Sequence, residues 1–233
     1  MKQLEVCCAD INSVYAAIDG GASRIELCTG LSEGGTTPSP AMIEAAVDSG
    51  IPVHVLIRPR SGDFVYNDAE KKIILADIRH ARRIGVRAVV IGALTSSGDI
   101  DECFLSECLK EADGIRVTFH RAFDCCKNPF KAIDTLIKYG VDYILTSGLT
   151  ESASMGAAML QQLNVYAGNK IKIIAAAGIS SKNIVHIASV TGCDEFHASA
   201  RARHNNQSIG LFPDFIPTDA TEVAAIMKQL QSL

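Results

Sequence analysis

The chain has 233 residues, of which 48% are hydrophobic, and its formal net charge of −4 is scattered along the sequence. It has no Lys/Arg run long enough to bind a phosphate backbone, so no nucleic-acid partner is expected. It also lacks an apolar stretch long enough for a membrane span, and the start, Met1–Glu5, lacks a signal-peptide core. These features predict a cytosolic protein with no membrane partner.

The eight cysteines include no CxxC pair. Cys103 and Cys108 are five positions apart, which does not match the usual spacing of zinc knuckles. A chain of this length can bury a large core without covalent staples. We therefore expect free thiols rather than a disulfide framework or a structural zinc site.

A glycine followed by a short apolar run is the strongest repeat in the chain. Seven such glycines lie 24 to 35 residues apart, and a helical pattern precedes them. Glycine commonly ends a helix by adopting the left-handed conformation, after which a strand can begin. The glycines are Gly21, Gly50, Gly85, Gly114, Gly140, Gly168 and Gly192.

With an opening strand added, the repeat predicts eight strands, each followed by a helix. Ser39 and Pro40 are typical of a helix start, and Asp68 is predicted to cap the next helix. In that helix, 69–84, the apolar residues Ile74 and Ile78 fall on one face. The strands are predicted near 3–8, 23–28, 52–58, 87–92, 115–120, 142–147, 170–175 and 194–199.

Eight strand–helix units predict an α/β fold, a single (β/α)8 TIM-type barrel that occupies residues 1–233 as one domain. The alternative is an open, doubly wound parallel sheet. Such a sheet usually has a glycine-rich phosphate loop after its first strand. The corresponding segment, Cys7–Asn12, contains no glycine, which favours the closed barrel.

Polar side chains interrupt strands that should be apolar if they are buried on both faces. Within each strand these residues are two or four positions apart, so they share one face. The opposite face is apolar and suits packing under helices, so we expect the polar face to point into the barrel, toward its C-terminal mouth. The polar-face residues are Glu5, Cys7, Glu26, Cys28, His54, Arg58, Thr118, His120, Glu195, His197 and Ser199.

The loops that follow these strands are also polar. Arg58 and Arg60 are expected to bring two guanidinium groups to the mouth after strand 3, and Asp124 follows strand 5. Arginine suits a carboxylate or phosphate ligand because its guanidinium binds two oxygens at once. Ionised groups on several strands are costly to bury, which favours a functional site over a purely structural network.

At these residues the sequence resembles the CutC family, known as copper homeostasis proteins, and the resemblance covers nearly the whole chain. The family is a barrel, in agreement with the repeat. The matching segments are Leu4–Cys7, Arg24–Cys28, Leu31–Gly35, Ile57–Arg60, Gly62–Phe64, Gly92–Thr95, Thr118–Asp124, Leu145–Gly148 and Glu195–His197.

The resemblance implies copper, with Cys7 and Cys28 at the family's two cysteine positions as its ligands. Cu(I) is a soft ion that prefers thiolate, so the residue type fits the metal. One departure concerns Ala175–Gly178, which stands where the family is glycine-rich after strand 7. Such a loop often binds phosphate, and the alanines weaken that expectation. Cys8, Cys125 and Cys126 lie outside the family pattern and are given no role.

Two functions stay open. The first is Cu(I) binding in copper homeostasis, with no other cofactor. The second is an enzyme for a small anionic metabolite, in which His120 or His197 is the general acid/base, Glu26 a second such group, and Arg58 the anion-binding residue, with Asp124 beside them. A third function, a scaffold for partners, leaves the buried charges unexplained. The sequence leaves open the substrate, the reaction class and whether the chain forms a homo-oligomer.

Overall fold

The computed structural model describes residues 2–201 and 215–233. Its eight strands are parallel, pair in sequence order and close when β8 pairs with β1, which confirms the (β/α)8 barrel. The strands are β1 Gln3–Cys8, β2 Arg24–Leu27, β3 Val53–Leu56, β4 Ala88–Ile91, β5 Arg116–Phe119, β6 Tyr143–Thr146, β7 Lys172–Ala175 and β8 Glu195–Ala198.

A helix follows each strand. Short 3-10 helices at Leu31–Glu33 and Arg121–Cys125 lie in the loops after β2 and β5. Within the described residues, no helix is both long enough and apolar enough to cross a bilayer. The helices are α1 Ile11–Asp19, α2 Pro40–Asp48, α3 Asp68–Ile84, α4 Glu102–Glu111, α5 Pro129–Tyr139, α6 Ala157–Ala167, α7 Ile184–Thr191 and α8 Ala220–Gln231.

Local sequence signals explain the helix ends. The Ser39 hydroxyl accepts a hydrogen bond from the Met42 amide, as predicted for the start of α2. The prediction that Asp68 caps α3 is wrong. Asn67 is the cap, because its side chain accepts two backbone N–H groups while Glu70 reaches back to the Asn67 amide in a capping box.

The apolar face of each strand packs under the helices and forms one continuous core, as the alternation of residues predicts. Ile74, Ile78 and Ala81 of α3 are buried in that core. The polar face therefore points into the barrel, where Glu5, Glu26, His54 and His120 are all buried. Placing these groups inside a closed sheet brings side chains from distant parts of the sequence together.

Candidate functional site

An ion network occupies the barrel interior and centres on Glu5 of β1, which is wholly buried. Arg24, its neighbour on β2, donates to Glu5 at 2.6 Å and to Glu195 of β8 at 2.7 Å. Nδ1 of His54 lies 3.0 Å from the same Glu5 carboxylate. Sequence reasoning missed Arg24, although it shares the parity of Glu26 and Cys28 on β2.

Burial alone would raise the pKa of Glu5, but the charge of Arg24 and contacts with His197 and His54 hold it well below its ordinary value. Glu5 is therefore ionised at neutral pH. Glu5, Arg24, His54 and Glu195 do not line the cavity at the mouth. For Glu5, His54 and Glu195, the expectation of a place at the mouth is wrong. They form the ion-paired layer beneath the cavity.

Above this layer, a cavity of about 240 Å³ opens at the C-terminal ends of the strands. Side chains from the ends of β1, β2 and β8 form one wall, and the loops after β2, β3 and β5 form another. The cavity is lined by Cys7, Glu26, Cys28, Leu31, Gly34, Gly35, Leu56, Arg58, Phe64, His120, Arg121, Leu145, Ala176, Ala177, Gly178, His197, Ala198, Ser199 and Arg201.

Cys7 and Cys28 lie side by side in this lining. Their sulfur atoms are 3.7 Å apart, and Leu56 and Val90 pack against them. The hydrogen bond between the two thiols, together with burial, raises the pKa of Cys7 well above its ordinary value. Cys7 is therefore a protonated thiol at neutral pH. A soft metal ion would have to displace that proton, because the thiolate is the ligand.

Glu26 and His197 lie beside Cys7. The strand register pairs Cys7 with Glu26, and His197 Nε2 is 3.8 Å from the Glu26 carboxylate. His197 Nδ1 is 2.9 Å from Glu5 Oε1, which orients the ring from below. One donor atom from each of Cys7, Glu26 and His197 lies within 4.8 Å of the others, so the three groups could hold a metal ion.

The charges of Glu26 and His197 depend on each other. Burial raises the pKa of Glu26 to about 7, although the nearby His197 opposes the shift. Burial alone would lower the pKa of His197, but Glu26 and hydrogen bonds with Cys7 and Glu5 raise it well above its ordinary value. At neutral pH this wall of the cavity therefore contains an acidic group and a cationic imidazole that can exchange a proton.

Arg58 lies on the other wall and is only 6% exposed. Its Nη1 donates to the carbonyl oxygens of Glu33 and Gly35, and its Nη2 donates to that of Gly62. The ion pairs of the described residues do not include Arg58. The guanidinium therefore joins the loops after β2 and β3 and leaves a buried positive charge that no carboxylate neutralises.

His120 is next to Arg58 and is 4% exposed. Its Nδ1 accepts a hydrogen bond from the Ala122 amide at 3.1 Å, whereas its Nε2 has no hydrogen-bonding partner in the part of the chain that the structure describes. Burial and the charge of Arg58 lower the pKa of His120 to about 3. The imidazole is therefore neutral at physiological pH, with its proton on Nε2.

Comparison with known proteins agrees with this arrangement. The family model described as the CutC family matches residues 2–202. A family protein CutC of Bacteroides thetaiotaomicron is 44% identical over 217 residues, which cover 90% of this chain and 87% of that protein. Another, of Porphyromonas gingivalis, is 46% identical over 200 residues, with coverage of 85% and 81%. The chain belongs to the CutC family.

Solved structures support the same fold. The CutC protein of Streptococcus agalactiae, whose name assigns it to copper homeostasis, matches with a TM-score of 0.82 at 35% identity, covering 85% of this chain and 99% of that one. A thiamine phosphate pyrophosphorylase from Pyrococcus furiosus matches with a TM-score of 0.64 at 13% identity, covering 99% and 96%. At that identity the second match shows the barrel fold alone.

Two polar residues of the loops after β3 and β5, Arg60 and Asp124, also lie outside the cavity lining of this CutC family member. Arg60 pairs with Glu70 and Asp63 and does not line the cavity, so the expectation that it joins Arg58 at the mouth is wrong. Asp124 accepts hydrogen bonds from Thr146, from Ser147 and from the Leu149 amide. These bonds satisfy the carboxylate and hold the loop after β6.

Asp124 still touches the cavity lining indirectly. Its carboxylate pairs with Arg121 Nε at 2.8 Å, and Arg121 lines the cavity. In the geometry of this CutC family member, Asp124 is therefore a positioning residue for Arg121 and the β6 loop. Sequence spacing did not reveal the link to the β6 loop, since the partners of Asp124 there lie more than twenty residues further along the chain.

The alanines after β7 line the cavity in this CutC family member. Ala177 has φ 76°, in the left-handed region that favours glycine. The backbone thus keeps a glycine-like conformation although the side chain is alanine. The Cβ of Ala177 takes up space in the cavity beside the loop after β7, where barrels often bind phosphate.

Proposed function

We propose that this CutC family member binds Cu(I) through Cys7 and Cys28 and acts in copper homeostasis. The observation that carries the proposal is the distance of 3.7 Å between the two sulfur atoms in the lining of the cavity. With metal–sulfur bonds of about 2.3 Å, the length found at zinc–thiolate sites, two thiolates that share one ion would lie at most about 4.6 Å apart. The thiols therefore need little movement to share an ion, and Cu(I) prefers soft sulfur ligands.

The surroundings of the thiols support the same proposal. His197 offers an imidazole nitrogen beside Cys7, within the group of donors that could hold a metal ion. Imidazole also suits copper, whereas the carboxylate of Glu26 suits harder ions. We infer that Cys7 and Cys28 hold Cu(I), that His197 is the third donor within reach, and that Glu26 sets the charge next to them.

We also propose that the protein works in the cytoplasm. All eight cysteines are free, and Cys103 and Cys125 are exposed. A reducing compartment keeps such thiols available, whereas an oxidising one favours disulfides. Retention of Cu(I) by two thiols requires the same reducing conditions.

The test compares two double variants. Cys7→Ser with Cys28→Ser should remove tight Cu(I) binding, measured by competition with a chromophoric Cu(I) chelator under reducing conditions. Cys103→Ser with Cys125→Ser removes two exposed thiols as a matched control and should leave the affinity unchanged. Circular dichroism and thermal unfolding check that both variants fold. Unchanged Cu(I) affinity in the Cys7/Cys28 variant would refute the proposal.

A second function has its own support. We propose, as the alternative, an enzyme that acts on a small anionic metabolite at the same cavity. The supporting observation is that Glu26, Arg58, His120 and His197, which come from four strands or the loops just after them, all line one cavity. Barrel enzymes assemble catalytic groups in this way at the C-terminal face. In this function Glu26 and His197 exchange the proton, Arg58 and His120 face the anion, and Asp124 positions Arg121.

This alternative is tested by turnover. Mixtures of small carboxylates and phosphate esters are incubated with the protein and followed by proton NMR for loss of a substrate signal. His197→Gln should reduce the rate of any turnover by about 10²-fold or more, because it removes an acid/base group. Glutamine keeps a polar side chain at that position. His186→Gln, at an exposed position on α7, is the control. Turnover that survives in His197→Gln would contradict the proposed roles.

A further inference from the structure

Among the described residues that line the cavity, two buried donors have no hydrogen-bonding partner, Nε2 of His120 and Nε of Arg58. The Nε2 atom of His120 is buried, and it neither donates nor accepts a hydrogen bond within the described residues. Buried polar groups in native proteins are almost always hydrogen-bonded, so an exception on a residue that lines a cavity calls for a ligand. A bare buried donor costs roughly 1–3 kcal/mol, which a bound acceptor would recover.

The ring is held in one tautomer. The Ala122 amide donates to Nδ1 at 3.1 Å, and an atom that accepts an N–H cannot carry a proton of its own. The proton is therefore on Nε2. Burial and the adjacent Arg58 keep the second proton off, so this ring of the cavity lining has one N–H and no charge of its own.

The ring is also held in one position. The Phe64 ring packs against it with centroids 5.0 Å apart, and Phe119 lies on another side at 6.1 Å. Gly92 faces the ring so closely that any Cβ there would overlap Cε1 and Nδ1. A donor fixed by packing needs no reorganisation when a ligand arrives, which strengthens its hydrogen bond to that ligand.

The charge beside this donor is positive. Arg58 is buried and its Nη atoms bind carbonyl oxygens, while its Nε–H has no hydrogen-bonding partner among the described residues, so it supplies a positive charge and one further donor. Burying an ion without a counter-ion is costly unless something neutralises it. The missing partner therefore carries a negative charge and at least one acceptor oxygen.

We propose that His120 and Arg58 form an oxyanion subsite, in which neutral His120 donates its Nε2–H to an oxygen of a small carboxylate or phosphoryl ligand whose charge Arg58 balances. The proposal rests on the second function above only in placing an anion in the cavity. It requires no turnover and no copper. It also separates two roles that histidine could fill: His120 is a hydrogen-bond donor, and proton transfer belongs to the wall with Glu26 and His197.

The experiment titrates the whole protein with inorganic phosphate and, separately, with acetate at neutral pH, and follows the ring nitrogens of His120 by long-range ¹H–¹⁵N NMR. In the absence of ligand, the spectrum should show one protonated nitrogen, Nε2, and one unprotonated nitrogen, Nδ1. The Nε2–H signal should shift with added phosphate if the ligand is phosphoryl and with added acetate if it is a carboxylate.

Three variants make the result decisive. His120→Phe removes the donor and should weaken binding of the responsive anion by about tenfold to a hundredfold, as expected for one hydrogen bond to a charged group. His120→Gln restores a donor near the same place and should recover part of that loss. His186→Phe removes an exposed histidine of α7 and should bind like the parent protein.

Several outcomes would overturn the subsite. They are a doubly protonated His120 at neutral pH, a Nε2–H signal that responds to neither anion, and equal affinity in His120→Phe and the parent. These outcomes are independent of the other tests. Anion binding without turnover would contradict the enzyme function and still support the subsite. The Cys7/Cys28 variant, even if it no longer binds Cu(I), should give the same anion titration as the parent protein.

Discussion

At the scale of single residues, the position of His120 depends on a neighbour that has no side chain. Gly92, which follows β4, faces the imidazole, and a Cβ there would lie 2.5 Å from the Cε1 and Nδ1 atoms of the ring. Such a separation is below any normal contact, so one of the two groups must move. The need for glycine at this position is steric, and it links the end of β4 to the orientation of a cavity residue just after β5.

Gly92→Ala should therefore destabilise the parent protein by about 1–3 kcal/mol, as overpacking in a core does. In the background of His120→Ala the same change should cost much less, because the ring is gone. Urea unfolding of the two single variants and the double variant measures the coupling between the sites. Equal costs in both backgrounds would show that Gly92 does not contact His120.

A second residue tests backbone strain at the cavity wall. Ala177 has φ 76°, a conformation in which a Cβ raises the free energy of the folded state by roughly 1–2 kcal/mol. Glycine removes that strain, but its greater conformational entropy in the unfolded chain offsets part of the stabilisation. Ala177→Gly should raise the free energy of unfolding by about 0.5–1 kcal/mol. Ala224→Gly, at an exposed position within α8, should lower it by about 1 kcal/mol. If both changes destabilise equally, Ala177 is not strained.

At the scale of elements, one carboxylate ties four strands together. Glu5 of β1 contacts Arg24 of β2, His54 of β3 and His197 of β8, and Arg24 reaches on to Glu195 of β8. The closing seam of the barrel, where β8 meets β1, is therefore joined by ion pairs as well as by backbone hydrogen bonds. Removing the Glu5 carboxylate would leave the buried Arg24 guanidinium with Glu195 as its remaining ion-pair partner among the described residues.

Glu5→Gln should cost about 3–5 kcal/mol at neutral pH, as the loss of one partner from a buried ion pair does. Because the pKa of Glu5 is lowered in the folded state, its stabilising contribution is complete above its ordinary pKa and is lost as the pH falls through the folded value. Urea unfolding should thus show a difference that is steady near neutrality and shrinks only in acid. Asp63→Asn, at an exposed pair with Arg60, is the control and should leave the free energy of unfolding nearly unchanged.

At the scale of the whole molecule, the barrel keeps ionisable groups in its cavity at some expense in stability. Glu26 is the clearest case, because burial raises its pKa to about 7. A carboxyl group with a raised pKa is best tolerated when it is protonated. The free energy of unfolding is therefore highest below the ordinary pKa of a glutamate, where Glu26 is protonated in both states. It decreases as the pH rises through the folded pKa, because the buried carboxyl must then ionise.

Glu26→Gln should therefore become more stable relative to the parent as the pH rises from about 5 to 8, with a gain of roughly 1–3 kcal/mol across that range. Glutamine has nearly the same shape and cannot ionise. Urea unfolding at several pH values measures the difference, and Glu44→Gln, at an exposed position on α2, should follow the parent at every pH. A difference for Glu26→Gln that does not change with pH would show that Glu26 is not buried as a titrating group.

The sequence by itself determined the barrel. Glycines such as Gly85 and Gly140 end helices in the left-handed conformation, and the strands begin soon after them, close to the predicted positions. These signals are local, since a helix end or a strand face depends on a few neighbouring residues. The inward direction of Cys7, Glu26 and His120 also followed from alternation alone.

Only the tertiary structure decided which inward residues share a cavity and which charge each one carries. Glu5 and Glu26 have the same parity on neighbouring strands, yet Glu5 lies among Arg24 and two histidines while Glu26 faces the cavity. Arg58 and Arg60 are two positions apart and point to different partners. Burial, partner charge and hydrogen-bond direction depend on groups brought together from up to 192 positions away along the chain, and no local pattern encodes that distance.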